Sequence, residues 1–440
     1  MAATEIPVAV TSLTSAAPVG HGWPVEYDVL ILDAATRQSL ACARSLGRAG
    51  LRVAMGECFA ECDPALPVLA FRSRYSARNV VLPSFAANPA AFADGIADFV
   101  REHPTRVLLP AMDGAIAALM SRRQQLEALG CLLALPANPV LELANNKDRT
   151  LAVARDLGIA IPKTMRISTP DDVPTVLAEF QFPFVLKPAV SWAPQSQRRL
   201  QGREVVDQAE AVTVTREFLE AGVSVLAQEW AGGRREGVTL FLLGDDVLAS
   251  FAHLEHRTSP PLGGVSVLRE GVPMPSDIYD PSVRLAAAVG LQGLCEVEFR
   301  RDAAGRPLLM EINARLAGPV ETALKSGVNF PLMVWQWATG QPVDRLDGYK
   351  SGYRSRWLRG DMRWLRDNYQ QAGRPDGMLP RQALWTFISE FTRTFHYDCL
   401  DRHDLRPALA ELRTTAAAVL RSRSAGAASG RQDEGIAHVQ

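Results

Sequence analysis

The chain has 440 residues, too many for one compact core, so two or three domains are expected. Hydrophobic residues make up 47% and charged residues 22%, the profile of a globular enzyme, and a formal net charge of −1 supplies no global field for nucleic acid or an anionic membrane. No apolar run approaches the roughly 20 residues of a membrane helix. The six cysteines offer only Cys58 and Cys62 as a close pair, which fits free thiols in a reducing cytoplasm better than a zinc site.

Residues 1–26 are rich in Ala, Thr, Ser and Pro, with no basic segment or continuous apolar block, and read as a flexible extension rather than a secretion signal. From Tyr27 the pattern changes. "YDVLILDA", the helix-spaced "RQSLACARSLGRAG" and "LRVAMGE" form a strand–helix–strand unit, which requires a parallel pair. "RNVVLPS", "AAFADGIADFVREH" and "RVLLPAMDG" repeat it, so residues 27–140 are predicted to be an open α/β domain. The turn after its first strand is Asp33-Ala34-Ala35-Thr36, without the glycines that cradle a dinucleotide.

Residues 141–343 are predicted to be a mixed α+β unit. "NNKDRTLAVARDLG" is a helix stopped by Gly158, and "FPFVLKP", "LAQEW" and "VTLFLLGDDVLASFAHLEH" are strand-like. Gly244-Asp245-Asp246 and Asp302-Ala303-Ala304-Gly305 mark hairpin turns. Residues 344–424 read as a helical region with a basic surface. Between 345 and 424 there are 15 Lys/Arg against 9 Asp/Glu, which a solvated helix face or a dimer contact explains as well as nucleic acid does. Residues 425–440 read as a disordered tail.

The sharpest chemical signal is "EVEFRRDAAGRPLLMEINAR". Side chains alternate along a strand, so Glu296 and Glu298 share one face, Glu311 and Asn313 share another, and Met310 and Ile312 point away. If the hairpin aligns them, Glu298, Glu311 and Asn313 converge as oxygen ligands suited to Mg²⁺ beside phosphate; a solvated hairpin face is the plain alternative. Lys187 closes an apolar strand and Lys147 opens a helix, positions from which a lysine reaches phosphate, although exposed structural lysines are common at both. Gln228 or Glu229 could hold an adenine amino group, with backbone at Trp230 and Ala231 reading the ring edge and Glu236 holding a ribose; a strand end alone would look the same. Arg269, after Gly263-Gly264, and Arg315, two residues past Asn313, are candidates to clamp a carboxylate or phosphate, with a surface salt bridge the alternative for Arg269. His256 and Arg257 are weaker candidates.

Taken in order, "NNKDRT…LGIAIPKT", "FPFVLKP", "LAQEW", "GGVSVLRE" and "CEVEFRRDAAGRPLLMEINAR" resemble the ATP-grasp superfamily over about residues 27–340. The sequence is most similar to its predicted carboxylate–amine ligase branch, related to the carbamoyl phosphate synthase ATP domain; "RWLRGDMRWL" and "FHYDCLDRHDLRPAL" match that branch more loosely. The resemblance implies an α/β open-sheet domain, an α+β ATP-grasp domain and a mainly helical C-terminal extension. It implies ATP with Mg²⁺, or Mn²⁺ in its place. Lys147 and Lys187 would contact phosphates; Glu229 and adjacent backbone adenine; Glu236 ribose; Glu298, Glu311 and Asn313 the metal; and Arg315 and Arg269 an acyl phosphate or substrate carboxylate. Dimers are common in the family. The family's loop after the second lysine is often glycine-rich, whereas "AVSWAPQSQRRLQGRE" holds only Gly202, leaving Ser191, Ser196, Arg198 and Arg199 as substitute donors.

The implied reaction activates a small-molecule carboxylate as an acyl phosphate, which an amine then displaces. Two alternatives stand beside it: activation of bicarbonate, and an ATP-binding protein without catalysis. Neither a nucleic-acid nor a membrane partner is expected.

Overall fold

Short Val-, Leu- and Ile-rich runs bounded by small or charged residues suit buried parallel strands. In the computed structural model, which describes residues 25–62, 66–261, 264–370, 377–394 and 396–416, they form a five-stranded sheet ordered β3-β2-β1-β4-β5. The strands are β1 (Tyr27–Ile31), β2 (Val53–Glu57), β3 (Ser76–Val81), β4 (Thr105–Leu109) and β5 (Leu132–Leu133), all paired in parallel. The helix Arg37–Arg48 follows β1, its first turn capped by the Thr36 side chain on the Ser39 amide. The expected extension (1–26) lies outside the described residues up to position 24, and the expected tail (425–440) lies outside them entirely.

A second sheet of four antiparallel strands has the order β10-β7-β11-β6. It comprises β6 (Thr164–Ile167), β7 (Phe184–Pro188), β10 (Arg203–Val205) and β11 (Val225–Glu229). The loop between β7 and β10 contains a small hairpin, β8 (Trp192–Ala193) with β9 (Arg198–Arg199). The helix Lys147–Asp156 begins beside this sheet, the Lys147 amide donating to the Ala189 carbonyl.

The third sheet has seven strands ordered β16-β15-β12-β13-β14-β17-β18. Five come from one stretch: β12 (Arg235–Leu243), β13 (Asp246–Ser259), β14 (Val265–Val272), β15 (Gly293–Arg301) and β16 (Pro307–Asn313). The last two, β17 (Arg354–Arg356) and β18 (His396–Tyr397), come from the C-terminal region. That region is otherwise mainly helical, with Leu358–Gln370, Pro380–Ser389 and residues 406–416, and its strands complete the sheet beside β14.

Buried ion pairs join the parts where apolar packing alone would not fix their register. Arg44 of the first helix reaches Asp404 (2.9 Å), Arg37 pairs with Asp398, and Arg257 and Arg356 both meet Asp361 (2.6 Å each). Among the described residues no helix is long and apolar enough to cross a membrane, and all six cysteines are free.

Candidate active site

A cleft of about 640 Å³ opens between the two antiparallel sheets and the carboxyl ends of the parallel strands. Its floor is the β15–β16 hairpin, whose register sets Glu298 opposite Glu311 and Glu296 opposite Asn313. Cross-strand partners share a face, so these four side chains turn toward the same space. Asn313 Nδ2 donates to Glu298 Oε1 at 2.8 Å and lies 3.4 Å from Glu296 Oε2. The simple alternation fails at one point. The register shifts between Glu298 and Phe299, leaving Met310 as an extra residue in β16. The bulge brings Met310, expected to point away, into the cleft lining, while Ile312 remains buried.

Two lysines face the hairpin. Lys147 Nζ is 3.2 Å from Glu311 Oε2 and donates to Ser191 Oγ at 2.9 Å. Lys187 Nζ is 3.6 Å from Met310 Sδ. Burial pulls the Lys187 ammonium down to about 8, with Glu311 opposing the shift and Lys147 reinforcing it. Burial also works against ionised Glu311, yet Lys147 and Lys187 hold it at about 2. Glu298 goes the other way: burial, then Glu311 and Glu255, push it up to about 7.

This donor set consists of oxygens only, as a hard cation such as Mg²⁺ requires. Among the described residues, no three His, Cys, Asp or Glu side chains form a ready-made metal cluster. Two carboxylates and an amide nevertheless fit a cation whose remaining ligands are phosphate oxygens and water, the usual arrangement for Mg²⁺ at a nucleotide.

Gln228, Glu229, Trp230 and Ala231 line the cleft where β11 ends. Gln228 is buried; its Nε2 donates to Thr164 Oγ1 (3.2 Å), while its Oε1 has no hydrogen-bond partner. The Arg300 guanidinium stacks 4.2 Å from the Trp230 ring. Arg315 also lines the cleft, but grips Asp113 of the parallel-sheet domain, Nε to Oδ1 at 2.5 Å and Nη2 to Oδ2 at 3.2 Å. It therefore ties two domains together at the site.

Two expected residues lie elsewhere. Glu236 points to the opposite face of β12 from Arg235 and is taken up by Arg301 (2.8 Å), so it is not a ribose partner. Arg269 is fully buried, donating to Thr322 Oγ1 (3.0 Å) and pairing with Asp398 (2.7 Å); it holds the sheet together and cannot clamp a substrate. His256 is likewise hydrogen-bonded to Glu270 and Arg257 is ion-paired with Asp361.

Sequence reading passed over Arg235, which lies 3.1 Å from Glu255 Oε2 and 3.7 Å from Glu298 Oε2. The only signal was the period of two, which assigns Arg235 to the face that Glu236 leaves. It also passed over the far wall of the cleft, formed by Arg37, Trp357, Arg359, Arg363 and Glu411.

Residues 266–360, which include the hairpin and Arg315, match the family model described as ATP-grasp in the biosynthetic pathway with Ter operon. Solved structures extend the likeness to as much as 75% of the chain. An L-amino acid ligase from Bacillus licheniformis aligns over 73% of this chain and 76% of its own at 19% identity, with a TM-score of 0.54. The chain has the ATP-grasp fold. Other ATP-grasp likenesses are a biotin carboxylase–β,γ-ATP complex from Campylobacter jejuni (13% identity, 75% and 74% covered, TM-score 0.58) and a 2-oxoglutarate carboxylase biotin carboxylase domain dimer from Hydrogenobacter thermophilus with MgADP, ADP and bicarbonate (14%, 74% and 74%, 0.56). No curated protein matches by sequence.

The glycine-poor loop of this ATP-grasp chain folds down through side chains. Trp192 packs edge-on against Phe85 of the parallel-sheet domain, ring centroids 5.0 Å apart. Arg199 reaches Glu61 of that domain (3.2 Å), Arg198 turns to Glu217 (3.7 Å), and Ser191 holds Lys147. Gly202 lies against the Lys187 stem.

Proposed function

We propose that the chain is an ATP-dependent carboxylate–amine ligase releasing ADP and phosphate. The observation that carries this reading is Lys147 and Lys187 facing Glu298, Glu311 and Asn313 across one cleft. The likeness to an amino acid ligase supports the choice of reaction.

In this reading a substrate carboxylate attacks the γ-phosphate of ATP, forming an acyl phosphate and ADP. An amine then attacks the acyl carbon and phosphate leaves, giving an amide. Phosphoryl transfer needs positioning and charge neutralisation rather than a protein nucleophile. Lys147 and Lys187 serve as point charges on the phosphates, and Arg235 and Arg315 add positive potential. Mg²⁺ or Mn²⁺ held by Glu298, Glu311 and Asn313 would neutralise phosphate charge. The unpartnered Gln228 Oε1 accepts from the adenine amino group, with Glu229 and the backbone of Trp230 and Ala231 along the ring. The β8–β9 hairpin shields the acyl phosphate from water.

The test is ADP release against a panel of carboxylic acids and amines, with the product identified by mass. Absence of ADP release with every pair would sink the ligase reading. The carboxylase likenesses favour bicarbonate as an alternative acid, which incorporation of labelled bicarbonate detects.

A further inference from the structure

The far wall of the cleft is built by the helix Leu358–Gln370. Its buried face carries Asp361, Trp364 and Asn368, spaced at three and four residues. Arg359, Arg363 and Arg366 recur at i, i+4 and i+7 on another face. Arg359 and Arg363 both line the cleft, and neither has an ion pair or a hydrogen bond among the described residues.

Among the described residues, the carboxylates around them each have a partner. Asp361 is taken by Arg257 and Arg356 on the buried face. Asp367 pairs with Arg366 (2.9 Å), Glu411 accepts from Trp357 Nε1 (2.7 Å), and Glu61 holds Arg199 (3.2 Å). Trp357 organises the wall. Its ring lies 4.4 Å from the Arg37 guanidinium and 4.8 Å from that of Arg363. Arg37 is neutralised by Asp398 and donates to the Ser266 carbonyl. Gly360 permits this fold-back, since a Cβ there would overlap the Trp357 ring. Among the described residues, the cleft therefore ends in two guanidiniums that no ion pair holds, with Asp367 acting on Arg363 from the same helix and Glu411 bonded to the neutral indole N–H beside them.

Sheet geometry separates this end from the phosphate end. Lys147 meets Glu311 on β16, at one edge of the third sheet, whereas the helix packs over β13 and β14. Those strands are three and four positions away, roughly 14–19 Å at about 4.8 Å per strand. Arginine side chains reach back across part of that distance, leaving room for one small molecule between them and the transferring phosphate. On the ligase reading the lysines serve the triphosphate, which leaves the arginines for a different anion.

We propose that Arg359 and Arg363 bind a second anionic group, a carboxylate or a phosphate, at the end of the acid substrate remote from the carboxylate that is activated. The assignment of that anion to the acid rests on the ligase reading. The ligand class is a small dianionic acid, and Arg suits either group because its planar fork donates two parallel hydrogen bonds.

The test is calorimetry on the full-length chain saturated with Mg²⁺ and the non-hydrolysable analogue AMP-PNP, so that the phosphate end is filled. Glutarate and 3-phosphonopropionate are the dianionic probes and butyrate the monoanionic control of similar length. The expected result is at least tenfold tighter binding of a dianionic probe than of butyrate. The preference disappears in R359Q/R363Q and partly returns in R359K/R363K, with AMP-PNP affinity and thermal midpoint unchanged. The stronger dianion tells whether carboxylate or phosphate is preferred. Equal binding of all three probes to the unaltered chain overturns the proposal, as does a preference that survives in R359Q/R363Q. Loss of AMP-PNP affinity together with the preference also overturns it, because it marks a structural role. A chain that keeps the dianion preference but never binds AMP-PNP leaves the arginine subsite standing and sinks the ligase reading.

Discussion

Asp398→Asn tests how the three parts of the chain are joined. The Asp398 carboxylate lies between Arg37 of the parallel-sheet domain and Arg269 of the central sheet, with side-chain exposures of 1%, 8% and 0% respectively. Removing one partner from a buried pair costs roughly 3–5 kcal/mol, because the charges left behind stay buried. The same change in a surface pair costs at most about 1 kcal/mol. The surviving Asn oxygen, the Ser266 carbonyl and the Thr322 hydroxyl keep part of the hydrogen bonding, so two unpaired guanidiniums are not expected to double the loss. At an m-value of about 3 kcal/mol/M the urea midpoint falls by about 1–1.7 M. The pH dependence adds a second check. Burial pushes Asp398 up, but Arg269 and Arg37 more than reverse it, so its folded pKa lies below the unfolded value of about 3.9. The stability it contributes is fully present above that unfolded value and is lost as pH falls through the lowered folded value. Urea unfolding of both chains between pH 7 and 3 should show a gap that is full at neutral pH and narrows below about pH 4. A loss under about 1 kcal/mol at pH 7, or a gap that widens on acidification, refutes the buried bridge.

Three further outcomes concern the site. Glu311→Gln should abolish Mg²⁺-dependent ADP release while leaving metal-free nucleotide binding at least as tight, since Lys147 and Lys187 lose their competing carboxylate; normal turnover in this variant removes the metal assignment. Because burial holds Lys187 at about 8, ATP affinity should fall as pH rises through 8, and Lys187→Arg, which stays charged, should flatten that fall in a Trp-fluorescence titration. Glu236→Gln should leave ATP affinity within about twofold while lowering the thermal midpoint, because Glu236 braces Arg301 on the face away from the cleft; a tenfold loss of ATP affinity would restore it to the ribose.

Much of the acidic hairpin at the floor of the cleft was legible because its side chains sit on local, periodic structure. Alternation alone put Glu296 with Glu298 and Glu311 with Asn313, and the short Asp302–Gly305 turn brought the two strands into register. Where alternation broke, so did the reading: the bulge at Met310 adds one residue that no periodic rule contains. Glu236 illustrates a related ambiguity. A shift of one residue exchanges the faces of a strand, and nothing in "RREGVTLF" says whether Arg235 or Glu236 turns inward until β12 is paired with β15. Arg269 was illegible for another reason, since its partner Asp398 stands 129 residues away and arrives only when the C-terminal region closes the sheet.

The C-terminal charge excess carried information that composition could not release. A helix with Arg at 359, 363 and 366 and acids at 361 and 367 reads as an amphipathic, solvated element from its period alone. What distinguishes its faces is long-range: Arg257 and Arg356 pair with Asp361 on the buried side, while Arg359 and Arg363 turn toward the cleft with no ion pair among the described residues. Asp361 stands two residues from both Arg359 and Arg363, on the opposite side of the helix, so it pairs with neither. The functional reading of that wall thus depends on which acid is buried. The Asp361→Asn variant probes this coupling: unfolding of the helix should release Trp357 and erase any dianion preference along with stability, whereas R359Q/R363Q erases the preference alone.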